Sequence, residues 1–243
     1  MSGSAAHTRL NTGVLAAAEK RVLLALARAL PHRIHSDHLS TFALVSMLGA
    51  AAGFAAMRVE PWTGALIVTV ALVCNWFGDS LDGTVARVRG HERPRFGYYV
   101  DHVIDLSGTA ALFIGLGVSG LMSPLLAAAV LAAYLLVAAE VYLATHAGGV
   151  FRMSWGGVGP TELRIVLVTG ALYAAGHPTV TVPMLGHHPL FDVGGAASLV
   201  GLAAAFAVSA TRQTRALFAL EPRPASVVAN TAIPQGPTVA ESR

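Results

Sequence analysis

Four aspartates, Asp79, Asp82, Asp101 and Asp105, stand in one short stretch between two of the most apolar runs of the chain. Asp79 and Asp82 are three residues apart and Asp101 and Asp105 four apart, spacings that set each pair on one face of a helix. Charge beside a membrane span is costly, so its presence asks for a partner or a task. Ionised carboxylates share a small volume only when cations neutralise them, and hard oxygen donors suit Mg²⁺, Mn²⁺ or Ca²⁺. A site with two such ions would serve phosphate chemistry by clamping attacking and leaving oxygens. The intervening residues fit a phosphate-bearing ligand. Gly83 and Ala86 lack bulk, Arg87 lies four residues after Gly83 on its face, and Gly97 opens the facing helix four residues before Asp101. Arg87 suits bidentate contact with a phosphate. A nucleotide with two metal ions is a consistent reading.

The elements that must position these residues are membrane spans. Of the 243 residues, 54% are hydrophobic and 12% charged, against about 25% charged in ordinary soluble domains. The apolar residues are clustered, which favours a multi-pass membrane protein over a soluble globule. Apolar segments run over Leu39–Met57, Trp62–Phe77, Tyr99–Val118, Leu125–Ala144, Leu163–Ala175 and Val193–Ala210. A crossing helix needs about 20 residues, so the shorter runs must extend polar ends into the headgroup region.

Six spans put 15 of the 16 Lys and Arg residues on one side and leave Arg58 alone on the other. Five or seven would scatter them. The positive-inside rule then predicts cytoplasmic termini and a cytoplasmic site, in the cell inner membrane. The predicted fold is an all-α integral membrane protein of six transmembrane helices. A short hairpin between the second and third spans is expected to bring the four aspartates to one membrane depth.

Residues 1–38 read as a cytoplasmic N-terminal segment, 39–212 as the six-helix catalytic domain, and 213–243 as a cytoplasmic, disordered tail without periodicity. Within the first segment, Glu19, Lys20, Arg21 and Arg28 fall on one helical face and Leu15, Val22, Leu26 and Leu30 on the other. This predicts an amphipathic interfacial helix, with packing against the bundle as the alternative. Ser36 or Asp37 is placed to cap the first span, Thr161 the fifth and Asp192 the sixth. The single cysteine, Cys74, forms no intrachain disulfide.

The stretch Asp79-x2-Asp82-Gly83-x2-Ala86-Arg87, followed by nine residues and Gly97-x3-Asp101-x3-Asp105, resembles the signature of the CDP-alcohol phosphotransferases, membrane enzymes of phospholipid synthesis. All eight marker positions are filled. The resemblance implies displacement of CMP from a CDP-linked donor by an alcohol hydroxyl, with one of the two substrates a lipid. It implies Mg²⁺ or Mn²⁺ ions held by Asp79, Asp82, Asp101 and Asp105. Asp79, Asp82, Gly83, Ala86, Arg87 and Gly97 would line the nucleotide pocket. Asp105 would serve as candidate base. The resemblance also suggests a homodimer among membrane lipids, and no nucleic-acid partner is expected.

His102, directly after the third aspartate, is similar to the Asp-His of members that use CDP-choline or CDP-ethanolamine with diacylglycerol as acceptor. There the histidine would replace Asp105 as base. This tips the reading toward that branch over CDP-diacylglycerol with a small polar acceptor, although the Lys-Gln-Ala-Arg-Arg type of sequence of eukaryotic members is absent. Glu140, inside the fourth span, would meet Arg87, an acceptor amine or simply a helix-packing hydroxyl. Glu162 and Arg164, at the start of the fifth, would contact acceptor or phosphate. The helix dipole offers a plainer account of Glu162. A cation transporter is the competing class, since intramembrane carboxylates mark ion paths.

Overall fold

Proline opens four of the helices, where its missing N–H costs nothing and its fixed φ suits the first turn. The computed structural model describes residues 16–148, 160–184 and 186–221. Along these run α1 (Ala16–Ala29), α2 (Ser36–Ala56), α3 (Pro61–Arg89), α4 (Pro94–Ser119), α5 (Pro124–Gly148) and α6 (Pro160–Gly176). The strands β1 (Thr179–Val182) and β2 (Gly186–Pro189) and the helix α7 (Leu190–Leu220) complete the order. The helices α2 to α7 each overlay one expected span. Five of them are long and apolar enough to cross a membrane. The exception is α6, with 17 residues, which stops ahead of Pro178 because a residue preceding proline is driven out of the helical region.

The α2 helix is the hub. It packs against both α3 and α4, while α6 lies on α3, α5 on α4 and α7 on α5. Glycines let the backbones close in. A Cβ at Gly115 of α4 would stand 2.3 Å from the Ala51 carbonyl oxygen, and one at Gly78 of α3 would stand 2.7 Å from that of Leu39. Ala50, Phe54, Val68, Leu72, Leu112 and Leu116 fill the core around this seam, and Phe54 meets Phe191 of α7 edge to face at 5.6 Å.

Several expectations need correction. The hairpin expected of α3 and α4 is connected as foreseen, but the two helices scarcely touch, because α2 lies against both. The two aspartate pairs therefore stand on helices that are joined chiefly through α2. An antiparallel β1–β2 ribbon, pairing Thr179 with Pro189 and Val182 with Gly186, breaks the all-α description. The alternating β-branched Thr-Val-Thr-Val suits a strand, and Gly186 takes the positive φ that the turn requires.

The N-terminal helix packs against α3: Leu23 and Ala27 are buried with Leu81 and Val85, whereas Val22 is exposed. Leu26 and Leu30 of the expected face pack against this cluster, so the helix takes the alternative of packing on the bundle, with its buried stripe shifted to include Leu23 and Ala27. The N-cap of α2 is His35 rather than Ser36 or Asp37, and its backbone N–H donates to Nδ1 of His38. Thr161 lies inside the first turn of α6. Asp192 accepts from the backbone N–H of Ser123 at 2.6 Å, so it joins α7 to the start of α5 instead of capping its own helix. The α7 helix continues to Leu220, past the expected end at Ala210. Leu15, the glycine-rich break at 156–159, Arg152 and the tail from 222 onward lie outside the described residues.

Candidate active site

Because α3 runs unbroken to Arg89, Asp79, Asp82, Gly83, Ala86 and Arg87 all sit on one continuous helix. Gly97, Asp101, His102 and Asp105 all sit on α4. Asp79 and Asp82 lie about 10–15 Å along α3 from its end, and Asp101 and Asp105 about 10–17 Å along α4 from its start, at 1.5 Å per residue. Height along the two helices therefore matches. The charges of Asp79 and Asp101 both bear on Asp82, which places carboxylates of the two helices within electrostatic range.

Each carboxylate of α3 is held by a different neighbouring helix. Asp82 Oδ2 accepts from the Ser40 hydroxyl of α2 at 2.6 Å, and its Oδ1 accepts from the Gly83 N–H. Asp79 Oδ2 accepts from Nη2 of Arg164 of α6 at 2.6 Å. Arg164 Nε donates to Asn75 Oδ1 at 2.8 Å, and the Asn75 amide donates to the Ala43 carbonyl at 3.0 Å. Arg87 folds back to donate to Thr84 Oγ1 at 3.1 Å, over the space that Gly83 leaves free. A Cβ at Gly97 would meet nothing within 4 Å. Ala86 lines a cavity of about 350 Å³ with His35, Asp37, Arg89, His91 and Arg93. Across its mouth Arg93 pairs with Asp37.

On α4, His102 Nδ1–H donates to the Tyr98 carbonyl at 2.7 Å, and the ring lies against Tyr98 at 4.1 Å and Tyr142 of α5 at 4.9 Å. With Nδ1 committed to a carbonyl, Nε2 is the nitrogen that can accept a proton. Tyr134, hydrogen-bonded to Thr109, and Tyr142 both lie in the field of Asp105. Glu140 is buried and its Oε2 has no hydrogen-bond partner. It sits about 120° around α5 from Tyr134 and about 160° from Tyr142, on a different face of the helix from both tyrosines. Glu162 stands in the first turn of α6.

The donor chemistry of the cluster fits a divalent cation, since four carboxylates at one height supply only hard oxygens. As the side chains stand, no three His, Cys, Asp or Glu groups among the described residues form a metal-holding set. Sequence reasoning missed Ser40, Tyr134, Tyr142 and the cavity residues His35 and Asp37. A hydroxyl pair opening the first span and two tyrosines in an otherwise aliphatic helix were the available signals.

A helical membrane fold with four aspartates at one height on two of its helices defines a class before it defines a member. The family model for CDP-alcohol phosphatidyltransferase matches residues 36–212. The chain belongs to that family and is a transferase of its phosphotransferase class. Two solved structures of similar fold are of Mycobacterium tuberculosis phosphatidylinositol phosphate synthase, PgsA1. One has CDP-DAG bound, with a TM-score of 0.57 at 20% identity, covering 82% of this chain and 94% of that one. The other is in complex with manganese and citrate, with a TM-score of 0.54 at 20% identity and coverage of 82% and 88%. No curated protein sequence matches the chain significantly.

Proposed function

We propose that the chain moves a substituted phosphate from a CDP-linked donor to an alcohol hydroxyl with release of CMP, in phospholipid synthesis. The observation that carries the reading is the matched height of Asp79 and Asp82 on α3 and of Asp101 and Asp105 on α4, with Asp101 in electrostatic range of Asp82. Mg²⁺ or Mn²⁺ held by these four aspartates would supply charge neutralisation at the diphosphate. The solved relative in complex with manganese supports the choice of ion. Arg87 is placed to bind a phosphate once it leaves Thr84, and the open space at Gly97 admits the nucleotide against α4. Arg164 and Glu162, at the start of α6, lie on the acceptor side of Asp79. Glu140 is left out of this site, because its face of α5 turns elsewhere.

The acceptor proton passes to Nε2 of His102, oriented by the Tyr98 carbonyl and by Tyr142. That leaves Asp105 as ligand and supports CDP-choline or CDP-ethanolamine as donor, with diacylglycerol as acceptor. A second reading has a specific observation of its own: the similar PgsA1 structure holds CDP-DAG. In it the donor is CDP-diacylglycerol, the acceptor a small polar alcohol, and Asp105 the base.

The reading places six spans in the inner membrane, with α6 as the short one and both termini on the cytoplasmic side with the site. The positive charge at the hairpin end of α3 and α4 supports this, as Arg87, Arg89, Arg93 and Arg95 gather there while Arg58 stands alone at the far end. A homodimer in the membrane is part of the reading.

The test is CMP release by the purified protein with Mg²⁺ or Mn²⁺. One arm pairs CDP-choline or CDP-ethanolamine with diacylglycerol, and the other pairs CDP-diacylglycerol with a panel of polar alcohols. Metal-dependent release in one arm selects the donor. Failure to bind both CDP and metal overturns the enzyme reading.

A further inference from the structure

Asp79 shares its Oδ2 with a cation that the chain itself supplies. Arg164, delivered by α6 from 85 residues further along, stands 2.6 Å away. The guanidinium is fixed from a second side by Asn75, which is anchored in turn on the Ala43 carbonyl of α2. Only 15% of the Arg164 side chain is exposed, and it borders an apolar groove of about 270 Å³ with Trp76, Ile165 and Val168. Three helices thus set one positive charge on one carboxylate of the cluster. In this arrangement the described carboxylates do not form a metal-holding set, and Asp82 is likewise turned to Ser40.

We propose that Arg164 is an internal counter-ion that competes with a divalent cation for Asp79. The ion pair and a cation at Asp79 oppose each other, so cation binding loosens the guanidinium for an anionic ligand. This rests on the metal reading above.

A guanidinium hydrogen-bonded to Oδ2 would lie about 5 Å from a divalent ion on the same carboxylate, and the repulsion is sizeable even in a water-like dielectric. The two cations therefore weaken each other's hold on Asp79. Arg164 is the one that can turn to another partner, since its planar fork suits a phosphate group once its bonds to Asp79 and Asn75 loosen. Linkage makes the effect reciprocal: an anion that captures Arg164 tightens cation binding, and a cation at Asp79 tightens anion binding.

The experiment titrates Mn²⁺ alone into the full-length protein in detergent, reading free ion by electron paramagnetic resonance. In parallel, phenylglyoxal modification of Arg164 is followed by mass spectrometry. Modification of Arg164 is expected to rise in step with Mn²⁺ saturation. Arg164→Gln is expected to bind Mn²⁺ about tenfold more tightly, the order that removing one positive charge about 5 Å from a divalent ion gives. Arg164→Lys, which keeps the charge, is expected to stay close to the parent.

If Mn²⁺ binds the parent while Arg164 modification stays flat and Arg164→Gln gains nothing, the counter-ion idea is wrong and the metal reading survives. If neither parent nor Arg164→Gln binds Mn²⁺, the metal reading fails and takes this inference with it. Should Arg164→Gln fail to fold, the modification of the parent decides alone.

Discussion

Gly78→Ala tests whether the seam between α2 and α3 sets the position of the aspartates. The new Cβ would stand 2.7 Å from the Leu39 carbonyl oxygen, 3.0 Å from the Ala43 nitrogen and 3.1 Å from the Ala43 Cβ. Two of these three atoms are backbone, which cannot swing aside as a side-chain tip can. The closest approach is about 0.7 Å short of ordinary van der Waals contact, so α3 must move off α2 by a similar distance. Ser40–Asp82 at 2.6 Å and Asn75–Ala43 at 3.0 Å straddle the contact and stretch with it.

Overpacking of this kind costs about 1–3 kcal/mol, and weakening two hydrogen bonds adds about 1–2 kcal/mol. The better helix propensity of alanine returns about 1 kcal/mol. The net expectation is a destabilisation of about 1–4 kcal/mol, read as a lower thermal midpoint in detergent, with turnover falling alongside it. Gly97→Ala is the matched control. Its Cβ meets nothing within 4 Å, so its midpoint should hold or rise while CDP binding weakens. A Gly78→Ala protein as stable as its parent would refute the packing argument.

Three other substitutions have clear expectations. Ser40→Ala removes the hydroxyl on Asp82; turnover should drop by about tenfold or more, as for loss of a hydrogen bond to a charged group, with a lower thermal midpoint and Ser40→Thr restoring both. Arg89→Met removes donations to the carbonyls of Leu30, Pro31, His32 and Ile34; a loss of about 2–3 kcal/mol and faster proteolysis between α1 and α2 should follow. Glu140→Met replaces a buried carboxylate whose Oε2 is unpartnered; the midpoint should rise, by about 1–3 kcal/mol of relieved desolvation, with turnover unchanged. A lower midpoint together with lost turnover would return Glu140 to the site.

What was legible in the sequence was local. The spacing of Asp79 with Asp82 and of Asp101 with Asp105 fixes their faces on any helix, and the apolar runs mark where α2 to α7 must lie. Contacts between helices left no such trace. Ser40 meets Asp82 across 42 residues and Arg164 meets Asp79 across 85, and no periodicity reports a pairing at that separation. The intrusion of α2 between α3 and α4 was equally hidden, because a short connection of residues 90–93 suggests packed neighbours. Leu23 and Ala27 of α1, buried beside the expected Leu26 and Leu30, were missed because, small or aliphatic like their neighbours, they carry no mark of the surface they will meet.

The long reach of Arg164 also orders events during synthesis. Membrane helices emerge in sequence, and α2, α3 and α4 can join through the glycine seam as soon as they are made. Asp79 is then already in place, but the arginine that neutralises it is still unmade. A ribosome stalled before α6 would leave a carboxylate at the membrane edge with Asn75 already anchored on Ala43 but no guanidinium for either to hold. Exposure of that charge is a chemical mark of an unfinished chain, one that a membrane quality-control protease could read.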